Sequence, residues 1–140
     1  MRLNICYLGL VPYEQALAIQ YQLLERRQND QIEDTLLLVE HPPVLTLGTR
    51  GKSDHIYLSK EQLKEQGISI FEVNRGGDVT YHGPGQIVGY PIMRLDSVSC
   101  NVRQFVTNIE NAVIGVLRDE FHIHAVRRTD KYTGVWVGDA

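Results

Sequence analysis

The sequence predicts an α+β fold built on a mixed or antiparallel sheet. Three observations carry this. Strand-like segments outnumber helical ones, short connections join several of them, and two long segments have clear helical periodicity. The order read along the chain is βαββαβ-loop-βαββ, which does not give the regular alternation of a doubly wound parallel sheet. No internal repeat, low-complexity run or linker divides the 140 residues, so the expectation is a single domain or part of one.

Arg2 to Gly9 reads as the first strand, and Pro12 suits the first turn of the helix that follows. Tyr13, Ala16, Leu17, Gln20, Leu23, Leu24 and Arg27 share helical spacing, with the apolar members on one face. The polar stretch Gln28 to Asp34 ends that helix. Thr35 to Glu40 is a short apolar run fit for a buried strand. His41-Pro42-Pro43 breaks it, and Val44 to Leu47 resumes as an extended segment before a polar loop, Thr49 to Asp54.

Ser59 with Gln62 three residues on is a capping-box signature for a short helix, and Gly67 suits its C-terminal end. Ile68 to Val73 and Gln86 to Arg94 read as strands on either side of a glycine-rich loop. Asn101 caps the second long helix, with Gln104 as its box partner. Val102, Phe105, Val106, Ile109, Val113, Val116 and Leu117 form its apolar stripe. Phe121 to Val126 and Thr133 to Val137 read as strands joined by the charged turn Arg127 to Lys131.

Composition excludes several function classes. The hydrophobic fraction is 43% and the formal net charge is -3, and Arg26-Arg27 and Arg127-Arg128 are only short basic pairs, so nucleic acid is not an expected partner. No apolar run approaches membrane-spanning length, and the N-terminus lacks a signal-peptide pattern. Cys6 and Cys100 form neither a disulfide framework nor a metal-binding spacing, which leaves a reduced, cytoplasmic setting as the expectation.

The run Arg75-Gly76-Gly77-Asp78-Val79-Thr80-Tyr81-His82-Gly83-Pro84-Gly85-Gln86 concentrates the candidate chemistry. Its four glycines let backbone N–H groups approach a ligand, because no Cβ intervenes. Arg75 can clamp a carboxylate or phosphate, or hold the loop itself. His82 can orient a carbonyl or move a proton, or simply pair with backbone. Tyr81 and Tyr90 suit packing, although aromatic rings also line apolar pockets.

Elsewhere the signals are weaker. His41 before Pro42-Pro43 reads as a structural turn residue. His122 and His124 would share one strand face, but no further ligands complete a metal site, and none is assigned. Cys100 lies just ahead of a helix, where a thiolate would be favoured. It reads instead as a small semi-buried loop side chain, and Cys6 as packed in its strand. No GxSxG elbow, Walker loop or Rossmann GxGxxG occurs.

The run RGGDVTYHGPGQIVGYP resembles the signature of octanoyl-[acyl-carrier-protein]:protein N-octanoyltransferases, also called lipoyl(octanoyl) transferases. EHPPVLTLGTR from Glu40 to Arg50, NVRQFVTNIENAV and TGVWVG resemble flanking parts of that family, so the likeness covers essentially the whole chain. The resemblance implies a biotin/lipoyl protein ligase type of α+β fold. It implies transfer of an octanoyl group from octanoyl-acyl carrier protein to a lysine on lipoyl domains of 2-oxoacid dehydrogenase complexes or on the glycine cleavage H protein. The family reaction passes through a cysteine thioester, with a nearby lysine lowering the thiol pKa, and implies no cofactor.

By match to the motif, Arg75, Gly76, Gly77, Asp78, Val79, Thr80, Tyr81 and His82 bind the acyl substrate, and Tyr90 helps wall the acyl pocket. The family lysine follows the GVWVG-like strand and the cysteine lies further on. Both positions fall beyond Ala140, and neither Cys6, Cys100 nor Lys131 matches them. The resemblance therefore assigns no catalytic residue here. Residues 1–140 are expected to be the N-terminal portion of one acyltransferase domain, incomplete at its C-terminal end and inactive alone. Two other readings compete. One is an ATP-dependent lipoate or biotin-type ligase, although no GRGRxGR-like run is present. The other is a non-catalytic fragment that binds an acyl chain or carrier domain.

Overall fold

The computed structural model describes residues 2–51, 55–96, 100–128 and 133–138. The elements run β1 (Leu3–Leu10), α1 (Tyr13–Gln28), β2 (Asp34–Glu40), β3 (Val44–Leu47), α2 (Lys60–Glu65), β4 (Ser69–Glu72), β5 (Val79–His82), β6 (Val88–Ile92), α3 (Val102–Phe121), β7 (Ala125–Arg127) and β8 (Val135–Val137). They fall into two compact units, Arg2–Met93 and the segment from Arg94 onward.

The first unit holds two three-stranded mixed sheets. In one, of order β1-β2-β6, β1 runs parallel and β6 antiparallel to β2. In the other, of order β4-β3-β5, β4 runs parallel and β5 antiparallel to β3. The α+β mixed arrangement agrees with the sequence expectation, but short connections do not mark paired strands here. β2 and β3 lie in different sheets, and so do β5 and β6. Pro42 and Pro43 explain the first switch: neither has an N–H to continue the β2 ladder.

Side-chain alternation places the core. Leu37 and Val39 of β2 are buried, whereas Leu36 and Leu38 on the other face are only half-buried. Tyr13 and Ala16 are the buried residues of α1, a helix that contacts β6. Leu24 and Tyr21 stay exposed, so the packed stripe of α1 is narrower than its apolar periodicity suggests. Cys6 is exposed rather than packed, because β1 is an edge strand with neither face well covered.

Arg27 closes the end of α1 by donating from Nε to buried Asp34 at 2.7 Å and from Nη1 to Asp30 at 2.8 Å. α2 forms the expected capping box between Ser59 and Gln62. Gly67 follows its cap residue Gln66 with φ 66°, the left-handed conformation that glycine adopts without strain.

In the second unit, Asn101 and Gln104 form the predicted box at the start of α3. The helix continues through Phe121 and ends at His122, whose φ of 56° is left-handed. The expected strand from Phe121 therefore begins only at Ala125, and His122 and His124 do not share a strand face. The apolar periodicity of α3 runs unbroken to Phe121 and carries the helix over the residues assigned to a strand.

β7 and β8 pair antiparallel. Buried Glu110 ties this hairpin to α3: Oε1 accepts the Gly134 N–H at 2.7 Å and Oε2 accepts Arg127 Nε at 2.5 Å. The Gly134 bond, then the Arg127 bond, hold the Glu110 carboxyl below its usual pKa. Lys52–Asp54 of the polar loop, and Thr129–Lys131 of the charged turn, lie outside the described residues. Among the described residues, no helix is long and apolar enough to cross a membrane, and no cluster of His, Cys, Asp or Glu could hold a metal.

Candidate functional site

The glycine-rich run is not one continuous loop. Val79–His82 forms β5, with Thr80 opposite Thr46 and His82 opposite Val44. β-branched and aromatic residues at positions 79–81 favour the extended ladder, and the glycines are confined to a turn at each end. A Val-Thr-Tyr triplet between two glycine turns is the signal that glycine density conceals.

Backbone bonds hold the first turn. Gly48, Thr49 and Arg50 donate their N–H groups to the carbonyls of Asp78, Arg75 and Gly77 at 3.0, 2.9 and 3.1 Å. The fit requires Gly48. A Cβ there would stand 2.6 Å from the Gly77 oxygen and 2.9 Å from the Arg75 oxygen.

Arg75 adds to this anchorage. Its Nη2 donates to the carbonyl and the Oγ1 of Thr46 at 2.9 and 2.8 Å, and Nη1 to the Gly76 carbonyl at 3.1 Å. Of the two sequence alternatives for Arg75, the geometry displays the loop-holding one. Asp78 Oδ2 meets His55 Nδ1 at 2.6 Å, with both side chains about half exposed.

Side chains hold the second turn. Gln86 donates its N–H to the Gly83 carbonyl at 3.1 Å, and Gly85 has φ 86°. Proline followed by left-handed glycine is the sequence signature of a type II turn. The Gly85 N–H donates to Glu40 Oε2 at 2.7 Å, while Oε1 of the same carboxylate accepts the Tyr7 hydroxyl at 3.1 Å. The bond to Glu40, then its charge, raises the Tyr7 pKa. His82 Nδ1 lies 2.6 Å from Gln86 Oε1, an acceptor, so this nitrogen carries the proton in that contact.

His41 lies behind the strip with 0% of its surface exposed. Its Nδ1 is 2.8 Å from the Val11 carbonyl, which can only accept, so Nδ1 bears the hydrogen. Neutral Nε2 then accepts the Tyr90 hydroxyl at 2.9 Å. The ring centroids of Tyr13, His82 and Tyr90 stand 5.4, 5.9 and 6.0 Å from that of His41. Burial lowers the His41 pKa, the Val11 bond opposes this, and the charge of His82 adds to the lowering. Burial also pushes Tyr90 up to about 12.

The predicted residues are thus a contiguous strip from Arg75 to His82, with Tyr90 on the next strand. Tyr90 gives its hydroxyl to His41. A cleft of about 170 Å³ is lined by Pro12, Tyr13, Pro42, Pro43, Val44 and Phe71 among others, but by none of Arg75–His82. Sequence reasoning missed Glu40 as a partner of the glycine turn and His41 as the buried centre behind it. Their adjacency at a strand end, just before two prolines, is the available signal. Cys100 is half-buried in the second unit, in the residue before the α3 cap.

The α+β fold is that of lipoate/biotin protein ligase catalytic domains. Residues 12–140 match the Lipoyl protein ligase A/B catalytic domain model, and the chain belongs to that family. Within it, the chain is 54% identical over 138 residues to an octanoyltransferase of Caldicellulosiruptor saccharolyticus, covering 99% of this chain and 59% of the relative. The chain spans about three fifths of the length of the octanoyltransferases it matches.

Solved structures of low identity share the fold. P. falciparum LipL1 in complex with lipoate gives a TM-score of 0.66 at 17% identity, over 99% of this chain and 41% of that one. A bi-partite lipoate protein ligase with its E2 lipoyl domain, from Thermoplasma acidophilum, gives 0.62 at 17% identity, over 92% and 49%.

Proposed function

We propose that residues 1–140 form the N-terminal portion of a single octanoyltransferase catalytic domain, and that the strip Arg75–His82 binds the octanoyl thioester of acyl carrier protein. The observation that carries this reading is the 54% identity to an octanoyltransferase, joined to a strip anchored at both ends. Arg75, Gly76, Gly77 and Asp78 shape the first end. Val79 to His82 supply a straight edge, and Tyr90 stands behind them as part of the wall of the acyl site.

The chemistry runs in two transfers. A cysteine thiolate beyond Ala140 attacks the thioester carbonyl and expels the carrier thiol, giving an acyl-enzyme. A lysine amine of a lipoyl domain then attacks that thioester, forms the amide, and releases the thiolate, with its surplus proton passing to base or solvent. The assisting lysine also lies beyond Ala140. The acceptors are lipoyl domains of 2-oxoacid dehydrogenase complexes and the glycine cleavage H protein.

The test mixes the 140-residue polypeptide with octanoyl-acyl carrier protein and a lipoyl domain. The expected result is saturable binding of the octanoylated carrier without octanoyl-lysine by mass spectrometry. Robust turnover by this polypeptide would overturn the placement of the nucleophile and direct attention to Cys100. Product that forms only with octanoate, ATP and magnesium would replace the transferase reading with a ligase.

A further inference from the structure

Two neighbouring crossovers carry the chain between the two sheets of the first unit. One is Glu40-His41-Pro42-Pro43, from β2 to β3, and the other is Gly83 to Ile87, from β5 to β6. Neighbouring side chains of the first crossover hold the second and the strands that flank it. Glu40 takes the Gly85 N–H at 2.7 Å, and His41 takes the Tyr90 hydroxyl at 2.9 Å while its ring meets that of His82 at 5.9 Å. The gripped turn immediately follows the strip.

We propose that Glu40 and His41 act as a pair of positioning residues, locking the Gly83–Gln86 turn and with it the ring of His82 at the end of the acyl-substrate strip. The proposal rests on the reading that this strip binds an octanoyl thioester. Glu40 sets the turn through a charge-assisted bond to backbone, the stronger kind of hydrogen bond. His41 sets the side-chain layer beneath, because both of its nitrogens are committed and its ring has no room to rotate. Nδ1 of His82 is bound to Gln86 in the held turn, which leaves Nε2 as the nitrogen that carries the lone pair. Neither residue touches substrate in this account; they act through Gly85, Tyr90 and His82.

The test measures binding of S-octanoyl-pantetheine to the 140-residue chain, together with the Gly85 amide and His82 imidazole nitrogen resonances. Glu40→Gln should weaken binding about tenfold, shift the Gly85 amide upfield and mix the His82 tautomers. His41→Asn can keep an N–H toward Val11 but lacks the imidazole acceptor for Tyr90, and should do the same to His82. Tyr7→Phe removes only the bond to the other Glu40 oxygen and should leave binding within about twofold. Should His41→Asn fail to fold, Glu40→Gln decides, because its bond to Gly85 is exposed. Unchanged binding in Glu40→Gln, or weaker binding with the Gly85 and His82 signals unmoved, overturns the positioning role. Absence of binding by the unsubstituted chain overturns the substrate reading beneath it, and the pair's role with it.

Discussion

The two ends of the strip are fastened by different means. At the Gly76-Gly77 end, three backbone N–H groups of Gly48–Arg50 meet three carbonyls, and Arg75 reinforces the join. At the Gly83–Gln86 end, a carboxylate binds the turn and a buried imidazole holds Tyr90 of the following strand, supplied by residues 45 and 49 positions earlier in the chain. Backbone fastening depends on close approach and tolerates any side chain that does not obstruct it. Side-chain fastening depends on the identity and protonation of two residues. The first end should therefore fail by steric intrusion, and the second by loss of a functional group or by acid.

The sharpest break in that contrast is His41→Ala. It removes a fully buried ring and, with it, the partner of the Val11 carbonyl and the acceptor of the Tyr90 hydroxyl. The expected loss is about 3 kcal/mol of unfolding free energy, read from urea titrations. Gly48→Ala should follow at about 2 kcal/mol, because its Cβ meets backbone oxygens that cannot swing away. Amide exchange separates the two. Gly48→Ala should raise exchange first at Thr49 and Arg50, and His41→Ala first at Gly85. The same amides loosening in both variants would show that the two ends behave as one unit.

The elements themselves were largely legible in the sequence. The capping boxes at Ser59 and Asn101 and the Pro42-Pro43 break are local signals that the structure follows, and the periodicity of α3 gives the helix, although Val102, Ile109, Val113 and Val116 of its stripe stay exposed. Strand pairing was less legible, because neighbours in sequence switch sheets and the partners are set by burial over long range. Glycine density around residues 75–86 hid β5, since Val79-Thr80-Tyr81 is too short to show periodicity by itself. For Glu40 and His41 the sequence offers only their adjacency before two prolines. A polar pair at a strand end looks like a turn until Gly85 and Tyr90, 45 and 49 residues away, are folded against it.

Acid should loosen the two ends at different pH. Burial holds the folded-state His41 pKa below the ordinary 6.5, so the unfolded chain takes up the proton first. The stability that neutral His41 supplies is fully present above about pH 6.5, and it is lost as pH falls through that value toward the folded pKa. Between pH 7 and 5, exchange at Gly85 should therefore rise before exchange at Thr49 and Arg50. Equal rises at both ends, or none at Gly85, would separate His41 from the second fastening.

The smallest effects come from glycines whose replacement the structure can absorb. At Gly83 a Cβ would meet the Tyr81 ring, with the hydroxyl at 2.6 Å, but Tyr81 is about half exposed and can swing outward. Gly83→Ala should cost below about 1 kcal/mol. Gly76 differs from Gly77, Gly83 and Gly85, because it has neither a left-handed φ nor any atom within 4 Å of a built Cβ. Gly76→Ala should leave unfolding free energy within about 0.5 kcal/mol. The proposed function supplies the missing reason for glycine there: an acyl thioester lying against the backbone of the first end. Binding of S-octanoyl-pantetheine should then fall in Gly76→Ala although the melting curve does not move. Unchanged binding would mean that Gly76 is not part of the acyl site, and that the substrate contacts the strip from β5 onward.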